Sequence, residues 1–395
     1  MVNSMKKSIS LSMLSIAILL SGCNIKNINF STDEKIKQAE IVLGEKLFFD
    51  PMLSKNYTQS CATCHNPQHG FIDNRDNSVH GAASLGDDKK SIGDRNTPTA
   101  SYAMFSPKFY FDSKKNEYIG GQFYDGREHT LAGQAGGPPT NPVEMGIPSK
   151  KFMVERLKQD LTYNKEFKNI YGEDIFNNPQ KAYSKMAQAI AAFEETETFA
   201  PFDSKYDRFL KSEYDLTPLE DLGRTLFFSN NNNNCASCHL LKKEDAPRET
   251  FSNYQYHNIG VPQNHILMAK NVVNPKTFID HGLLNNPEIS DKKYDGKMKV
   301  PTLRNIAITS PYMHNGVFQK LSTVVEFYDK YVNKERTLNP ETGKKWAKPE
   351  VKIDKEDMKI LKEAKALNER KVKALVAFMN TLTDKRYEYL IKEDN

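Results

Sequence analysis

Two short stretches can do chemistry on their own. Cys61-Ala62-Thr63-Cys64-His65 and Cys235-Ala236-Ser237-Cys238-His239 both read Cys-x-x-Cys-His. Two thiols at this spacing on one turn of helix reach both vinyl groups of a haem, and the histidine that follows swings beneath the iron. A zinc ribbon also uses paired Cys-x-x-Cys but leaves the histidine after each pair without a task. The pattern predicts two covalently bound haems c, with His65 and His239 as iron ligands. The chain has five cysteines. The fifth is Cys23, so none remains for a disulfide.

The segment holding Cys23 sets the compartment. Lys6 and Lys7 precede an apolar run from Ile9 to Leu20, too short to span a bilayer comfortably. Positive residues before a short apolar core read as a secretory signal peptide over 1–22. Leu20-Ser21-Gly22-Cys23 looks like a bacterial lipobox, in which Cys23 takes the lipid; a plain signal peptide with an incidental cysteine is the alternative. Residues 23–40 then serve as a polar tether. A periplasmic body held to a membrane by lipid alone is expected.

At 395 residues two domains are expected. The composition, 38% hydrophobic and 27% charged, is that of a soluble globular protein and excludes collagen and general disorder. A net charge of +5, with both signs mixed along the chain, argues against a nucleic-acid surface and leaves room for a small acidic partner. Leu43-Gly44-x-x-Leu47-Phe48-Phe49 precedes the first haem motif, and Leu222-Gly223-x-x-Leu226-Phe227-Phe228 precedes the second. This repeat predicts a mainly α fold of two c-type cytochrome domains related by internal duplication, over 41–200 and 201–395. Apolar periodicity places helices near 151–160, 180–199 and 355–382, the last able to pack back on the N-terminal domain. Residues 200–216 connect the halves. Residues 66–150 and 240–320 are rich in Gly, Pro, Asn and Asp, and loops of that length are expected to wrap the haems.

The residues between these landmarks carry a resemblance. Asn66-Pro67, Gly70-Phe71-x-Asp73, Arg95-Asn96-Thr97-Pro98-Thr99 and Tyr124-Asp125-Gly126-Arg127 are followed by Gln134, Gly137-Pro138-Pro139 and Asn141-Pro142-Val143-Glu144-Met145. Val300-Pro301-Thr302-Leu303-Arg304-Asn305 and Pro311-Tyr312-Met313-His314-Asn315-Gly316 stand in the second half. In that order, from about residue 40 to about 385, the chain resembles the bacterial dihaem cytochrome c peroxidases, the MauG-type branch included. The resemblance implies a peroxidatic haem on His65 and an electron-transfer haem on His239. It makes Gln134 and Glu144 the distal catalytic pair: a carboxylate beside peroxide can move a proton between its oxygens, and an amide can hold them. It also implies a calcium ion between the haems on Asn96, Thr309 and Pro311, through the oxygens a hard cation prefers. Arg127 and Arg304 are assigned to haem propionates or to structural ion pairs.

Three departures matter. Relatives that need reductive activation carry a removable histidine ligand after Ser-(Ile/Val)-Gly, whereas this chain reads Ser78-Val79-His80-Gly81. Either His80 reaches the iron through a loop shift, or the peroxidatic haem is open at rest; the open reading is preferred. The sixth ligand of the C-terminal haem is a methionine in the peroxidases proper, and Tyr328 stands there, as in MauG-type members; Met313 is the competing thioether. Where relatives often bridge the haems with tryptophan this chain has Tyr124, the candidate electron relay, and its only tryptophan is Trp346.

The leading expectation is an oxidoreductase reducing hydrogen peroxide to water with electrons from a small cytochrome c or similar periplasmic donor. A MauG-type oxidase modifying a partner protein is the second, and a passive dihaem electron carrier the third. Relatives commonly dimerise, although no apolar patch in this sequence shows it.

Overall fold

The computed structural model describes residues 31–229, 235–241, 248–270 and 278–392. The signal segment, Cys23 and the run Asn230–Asn234 lie outside the described residues. The fold is mainly helical. The first half holds α1 (Thr32–Phe49), α2 (Cys61–Cys64), α3 (Leu131–Ala135), α4 (Lys150–Gln159), α5 (Leu161–Tyr171) and α6 (Pro179–Glu194). The second holds α7 (Lys205–Leu210), α8 (Pro218–Phe227), α9 (Cys235–Cys238), α10 (His265–Lys270), α11 (Leu321–Asp329), α12 (Lys355–Lys362) and α13 (Glu369–Asn380).

Local sequence starts the two helices that lead into the haem motifs. Ser31 and Glu34 form a capping box at α1, and Thr217 and Glu220 form another at α8. Each box satisfies two backbone donors that would otherwise be left unpaired. The glycine of the repeated Leu-Gly pattern then has a packing reason. α1 crosses α6 so closely that a Cβ on Gly44 would lie 1.8 Å from the Ala189 carbonyl oxygen; α8 crosses α13 with Gly223 1.9 Å from that of Ala374. No side chain fits at either crossing.

Each crossing seeds an apolar core. Leu43, Leu47, Phe48, Met186 and Phe193 belong to one, Leu226, Phe227, Leu375 and Phe378 to the other; the first draws on residues from Leu43 to Phe199, the second from Tyr206 to Leu382. The predicted helix near 180–199 ends at Glu194. The stretch 355–382 is two helices rather than one. Asn368 caps α13 by accepting from the Lys371 N–H, and the Leu367 N–H donates to Asp329 Oδ1 at 2.9 Å, which turns the chain between them. Within the second half α13 packs on α8 and α11. The return to the first half is made by the following turn, Lys385–Leu390, where the Tyr387 hydroxyl donates to the Pro67 carbonyl at 2.7 Å.

Between the helices, long loops carry two short hairpins: β1 (Tyr110–Asp112) with β2 (Glu117–Ile119), and β3 (Tyr256–His257) with β4 (Met298–Lys299). Backbone bonds stitch them across the halves. Ile119 bridges to Gln255, Gly120 N–H donates to the Tyr254 carbonyl at 2.9 Å, and Lys299 N–H donates to the Tyr124 carbonyl at 2.8 Å. Arg95 closes the seam with a bidentate pair to Asp280 at 2.6 and 2.7 Å and a third bond to Asp125 at 2.7 Å. Tyr124 is thereby fixed at the junction.

Candidate dihaem centre

Each haem motif is one helical turn, closed by His65 N–H on the Cys61 carbonyl at 2.8 Å and by His239 N–H on that of Cys235 at 2.9 Å. Cys61, Cys64, Cys235 and Cys238 form no disulfide. His65 Nδ1 lies 3.1 Å from the Phe71 carbonyl oxygen, and His239 Nδ1 lies 2.9 Å from that of Phe251. A carbonyl only accepts, so Nδ1 carries the proton and Nε2 keeps the lone pair that an iron requires. Burial lowers both imidazole pKa values, that of His239 to about 4, which keeps the rings neutral and ready to ligate.

Phe71 and Phe251 both have left-handed backbones, with φ of 56° and 54°. Bulky residues rarely adopt this conformation, and here aromatic packing holds it. Phe71 stacks on Phe199 at 4.2 Å and meets Phe48 at 6.3 Å; Phe251 meets Phe227 at 6.4 Å and Phe378 at 6.5 Å. Helix crossing, aromatic cluster, strained carbonyl and histidine ligand thus form one chain of support in each half. These two carbonyl acceptors escaped the sequence reading. Phe71 sits in the quoted Gly70-Phe71 pair, but Phe251 follows Thr250 and has no comparable signal.

In the C-terminal half a cavity of about 380 Å³ opens on Cys235, Cys238 and His239. Leu303, Val325, Leu375 and Met379 give it apolar walls. Thiols, neutral imidazole and apolar lining together fit a covalently held haem. Tyr328, on α11, lines this cavity and is 37% exposed. Burial, then the neighbouring sulfurs of Cys238 and Cys235, push the phenol pKa well up. Met313 lines the same cavity and packs against the second core.

In the N-terminal half Glu144 lies near the first motif, where its charge is among the influences that push the Cys64 thiol up to about 11, burial being the largest. The Glu144 carbonyl accepts from Gln59 Nε2 and from Asp87 N–H, both at 2.7 Å, so its backbone is fixed. Burial raises its carboxyl pKa, and Arg127 and Asn141 pull it partly back. Arg127 rests 3.7 Å over the Phe123 ring and bonds Asp125 at 3.0 and 2.8 Å. Gln134, partly buried on α3, joins Glu144 through linked turns: Gly137 N–H donates to the Gln134 carbonyl, Met145 N–H to that of Pro138, and Glu144 N–H to that of Asn141. His80 stands apart from this group. It is 66% exposed, with Nδ1 3.8 Å from Asp76.

Tyr124, Asn96, Thr309 and Pro311 all line the C-terminal cavity where it meets the first half. Burial pushes the Tyr124 phenol up to about 12 against the pull of Arg95, and its ring lies 6.4 Å from that of His314. Asn96 Nδ2 approaches the Gly81 and Ala82 carbonyls at 3.4 Å, and Pro311 Cδ lies 3.3 Å from a Cβ built on Gly81. Among the described residues no cluster of three or more His, Cys, Asp or Glu side chains can hold a metal ion. A cation at this junction would rest on amide, hydroxyl and carbonyl oxygens. Arg304 is an ion-pair residue: its buried guanidinium bonds Asp207 at 2.6 and 3.0 Å. Trp346 packs edge-on against Phe318 and Phe327, inside the second half.

Fold and site define a protein with one haem c motif in each half and a stitched junction between the halves. The chain belongs to the dihaem cytochrome c peroxidase family, whose model, described as di-haem cytochrome c peroxidase, matches residues 38–215. It is 46% identical over 354 residues to the methylamine utilization protein MauG of Paracoccus denitrificans, covering 89% of this chain and 90% of that one. It is 30% identical over 333 residues to the cytochrome c551 peroxidase of Nitrosomonas europaea, covering 81% and 84%. The crystal structure of the dihaem peroxidase BthA from Burkholderia thailandensis superposes with a TM-score of 0.78 at 28% identity, covering 90% of this chain and 89% of that one. Membership brings an oxidoreductase scaffold with two haems c. Among the described residues no helix is long and apolar enough to cross a membrane.

Proposed function

We propose that this chain is a periplasmic, lipid-anchored dihaem oxidoreductase that consumes hydrogen peroxide in its His65 half. Electrons enter from a small cytochrome c or similar donor through the His239 half. Two haem domains, 41–200 and 201–395, divide the work, and a calcium ion on Asn96, Thr309 and Pro311 steadies their junction. The observation that carries this reading is Glu144, a half-buried residue with a carboxyl of raised pKa and a carbonyl held by Gln59, two residues before Cys61. A passive electron carrier has no use for such a group.

When bound, the haem on His65 supplies the iron at which peroxide is cleaved. Glu144 would take a proton from one oxygen of peroxide and return it to the other, and its raised pKa suits it to both directions of transfer. The Gln134 amide holds the oxygens in line by hydrogen bonding. His80, exposed and away from this group, leaves peroxide a free approach. Tyr124, at the stitched junction, passes charge between the halves. Overall, peroxide, two electrons and two protons give two waters.

A second reading has a specific observation in its favour. Tyr328 lies with Cys235, Cys238 and His239 in the C-terminal cavity, where the peroxidases proper use methionine, and the 46% identical relative is a MauG. Oxidation of a partner protein would use the same peroxide step and draw its electrons from that partner. Rapid mixing of the reduced and of the oxidised holoprotein with peroxide, followed by steady-state turnover with reduced small cytochrome c, separates the readings. Fast reaction with turnover supports the peroxidase; fast reaction without turnover supports the modifying oxidase. No reaction with peroxide contradicts both.

A further inference from the structure

A buried phenol stands at the seam between the halves with its own proton acceptor. Tyr102 is 1% exposed, and its hydroxyl donates to Asp384 Oδ1 at 2.5 Å, the short distance of a charge-assisted bond. Asp384 is fixed in turn: its Oδ2 accepts from Asn305 Nδ2 and its N–H donates to Asn305 Oδ1, both at 2.8 Å. The Tyr102 oxygen accepts a second bond, from the Phe202 N–H at 3.2 Å. Tyr102 and Asn305 both have left-handed backbones, with φ of 61° and 63°. For a bulky residue such as tyrosine this conformation is costly, and it persists where the surroundings hold it. One residue from each half thus meets on one carboxylate.

The phenol also sits between the supports of the two histidine ligands. Tyr102 N–H donates to the Phe199 carbonyl at 3.1 Å, and Phe199 stacks on Phe71, whose carbonyl holds His65. On the other side Arg304 lies 5.4 Å from the Tyr102 ring centre and 5.2 Å from that of Phe251, whose carbonyl holds His239. Tyr102 lines the cavity that opens on Cys235, Cys238 and His239. A phenol that gives up an electron becomes strongly acidic, so its oxidation is eased where the proton has somewhere to go. Asp384 provides that place within one hydrogen bond. Burial pushes its carboxyl up to about 6, against the pull of Tyr102, Asn305 and Arg304, which makes it a better base than an ordinary carboxylate. Tyr124, the phenol of the junction relay, is raised by burial and has Arg95, not a carboxylate, as its charged neighbour.

We propose that Tyr102 is a redox-active residue: when peroxide is present without a donor, it gives up one electron and passes its phenolic proton to Asp384. The Tyr102 O–H bond breaks, an Asp384 O–H bond forms, and a neutral tyrosyl radical remains. Hydrogen peroxide is the oxidant. Of the two electrons it takes, Tyr102 supplies one and the dihaem centre the other, while the two protons that complete the waters come from solvent. An electron from the donor reverses the step, and Asp384 returns the proton. The inference rests on the proposed reaction with peroxide and holds for a peroxidase and for a modifying oxidase alike.

The test is rapid mixing of the oxidised holoprotein with hydrogen peroxide and no donor, read optically for the haems and, after freezing, by electron paramagnetic resonance. We expect a tyrosyl radical whose splitting collapses when the tyrosines are ring-deuterated. Tyr102→Phe is expected to abolish it. Asp384→Asn keeps the phenol but cannot take its proton, and is expected to slow radical formation by roughly tenfold or more. Both variants should keep the optical reaction of the haems. A fast optical reaction with no tyrosyl radical, or with one that Tyr102→Phe leaves unchanged, overturns the inference. If a variant loses haem or fold, the wild-type radical decides by electron–nuclear double resonance in heavy water. A deuteron hydrogen-bonded to the radical oxygen supports the Tyr102–Asp384 assignment, and its absence overturns it. No optical reaction contradicts the proposed function and the inference together, so the two failures are told apart.

Discussion

Replacing Glu144 with glutamine is expected to leave two haems per chain and to slow the reaction with peroxide by roughly 10²–10⁴-fold, the usual worth of a positioned acid–base group. Glutamine keeps the size and the hydrogen-bonding reach of the side chain but cannot carry a proton from one oxygen to the other. The backbone at Glu144 is held by Gln59 and by the Asp87 N–H through its carbonyl, so the exchange leaves those bonds in place. The pH profile gives a second signature. Burial raises the Glu144 pKa, so the acid limb of the wild-type reaction falls above the ordinary carboxylate range. That limb vanishes in the variant. Stopped-flow rates across pH measure both effects, and near-normal rates in the variant would remove Glu144 from the chemistry.

Asp207→Ala is expected to destabilise the fold by about 3–5 kcal/mol, the range for leaving one partner of a buried ion pair alone. The Arg304 side chain has no exposure, donates to Asp207 and to the Glu249 carbonyl, and lies 5.2 Å from the Phe251 ring centre. Phe251 supplies the carbonyl that orients His239, so the second haem site should loosen first. Arg304 outweighs burial and holds the Asp207 pKa below its usual value. Its contribution is therefore full above the unfolded-state pKa and is lost as pH falls through the folded one. Denaturant unfolding at neutral pH should show the full deficit, and acid should narrow the gap between variant and wild type. Equal stability at neutral pH would mean that Arg304 finds another partner.

The haem motifs, the mainly helical class and the family were legible because each rests on residue types at fixed local spacing. The Leu-Gly repeat was legible as a pattern, but its cause, two backbone-close crossings at Gly44 and Gly223, needs helices that meet 145 to 151 positions later in sequence, at Ala189 and Ala374. The break between α12 and α13 was hidden because the apolar stripe continues through it, while the stop comes from Asp329 on α11. The carbonyls of Phe71 and Phe251 left no side-chain signal, since any residue offers a carbonyl and only the fold aims it. His257 and Asp357 lie a hundred positions apart, and their bond exists only once α12 closes on β3. Long-range partnership was the part the sequence could not show.

The central claim is that two like motifs serve unlike sites: an open one on His65 near Glu144, and a closed one on His239 with Tyr328. Electron paramagnetic resonance of the oxidised, as-purified protein tests it most directly. The expected spectrum holds one high-spin ferric haem, which Glu144→Gln perturbs, and one low-spin ferric haem, which Tyr328→Phe perturbs. Two low-spin haems with no high-spin signal would mean that His80 or another side chain closes the first site, and would contradict the account.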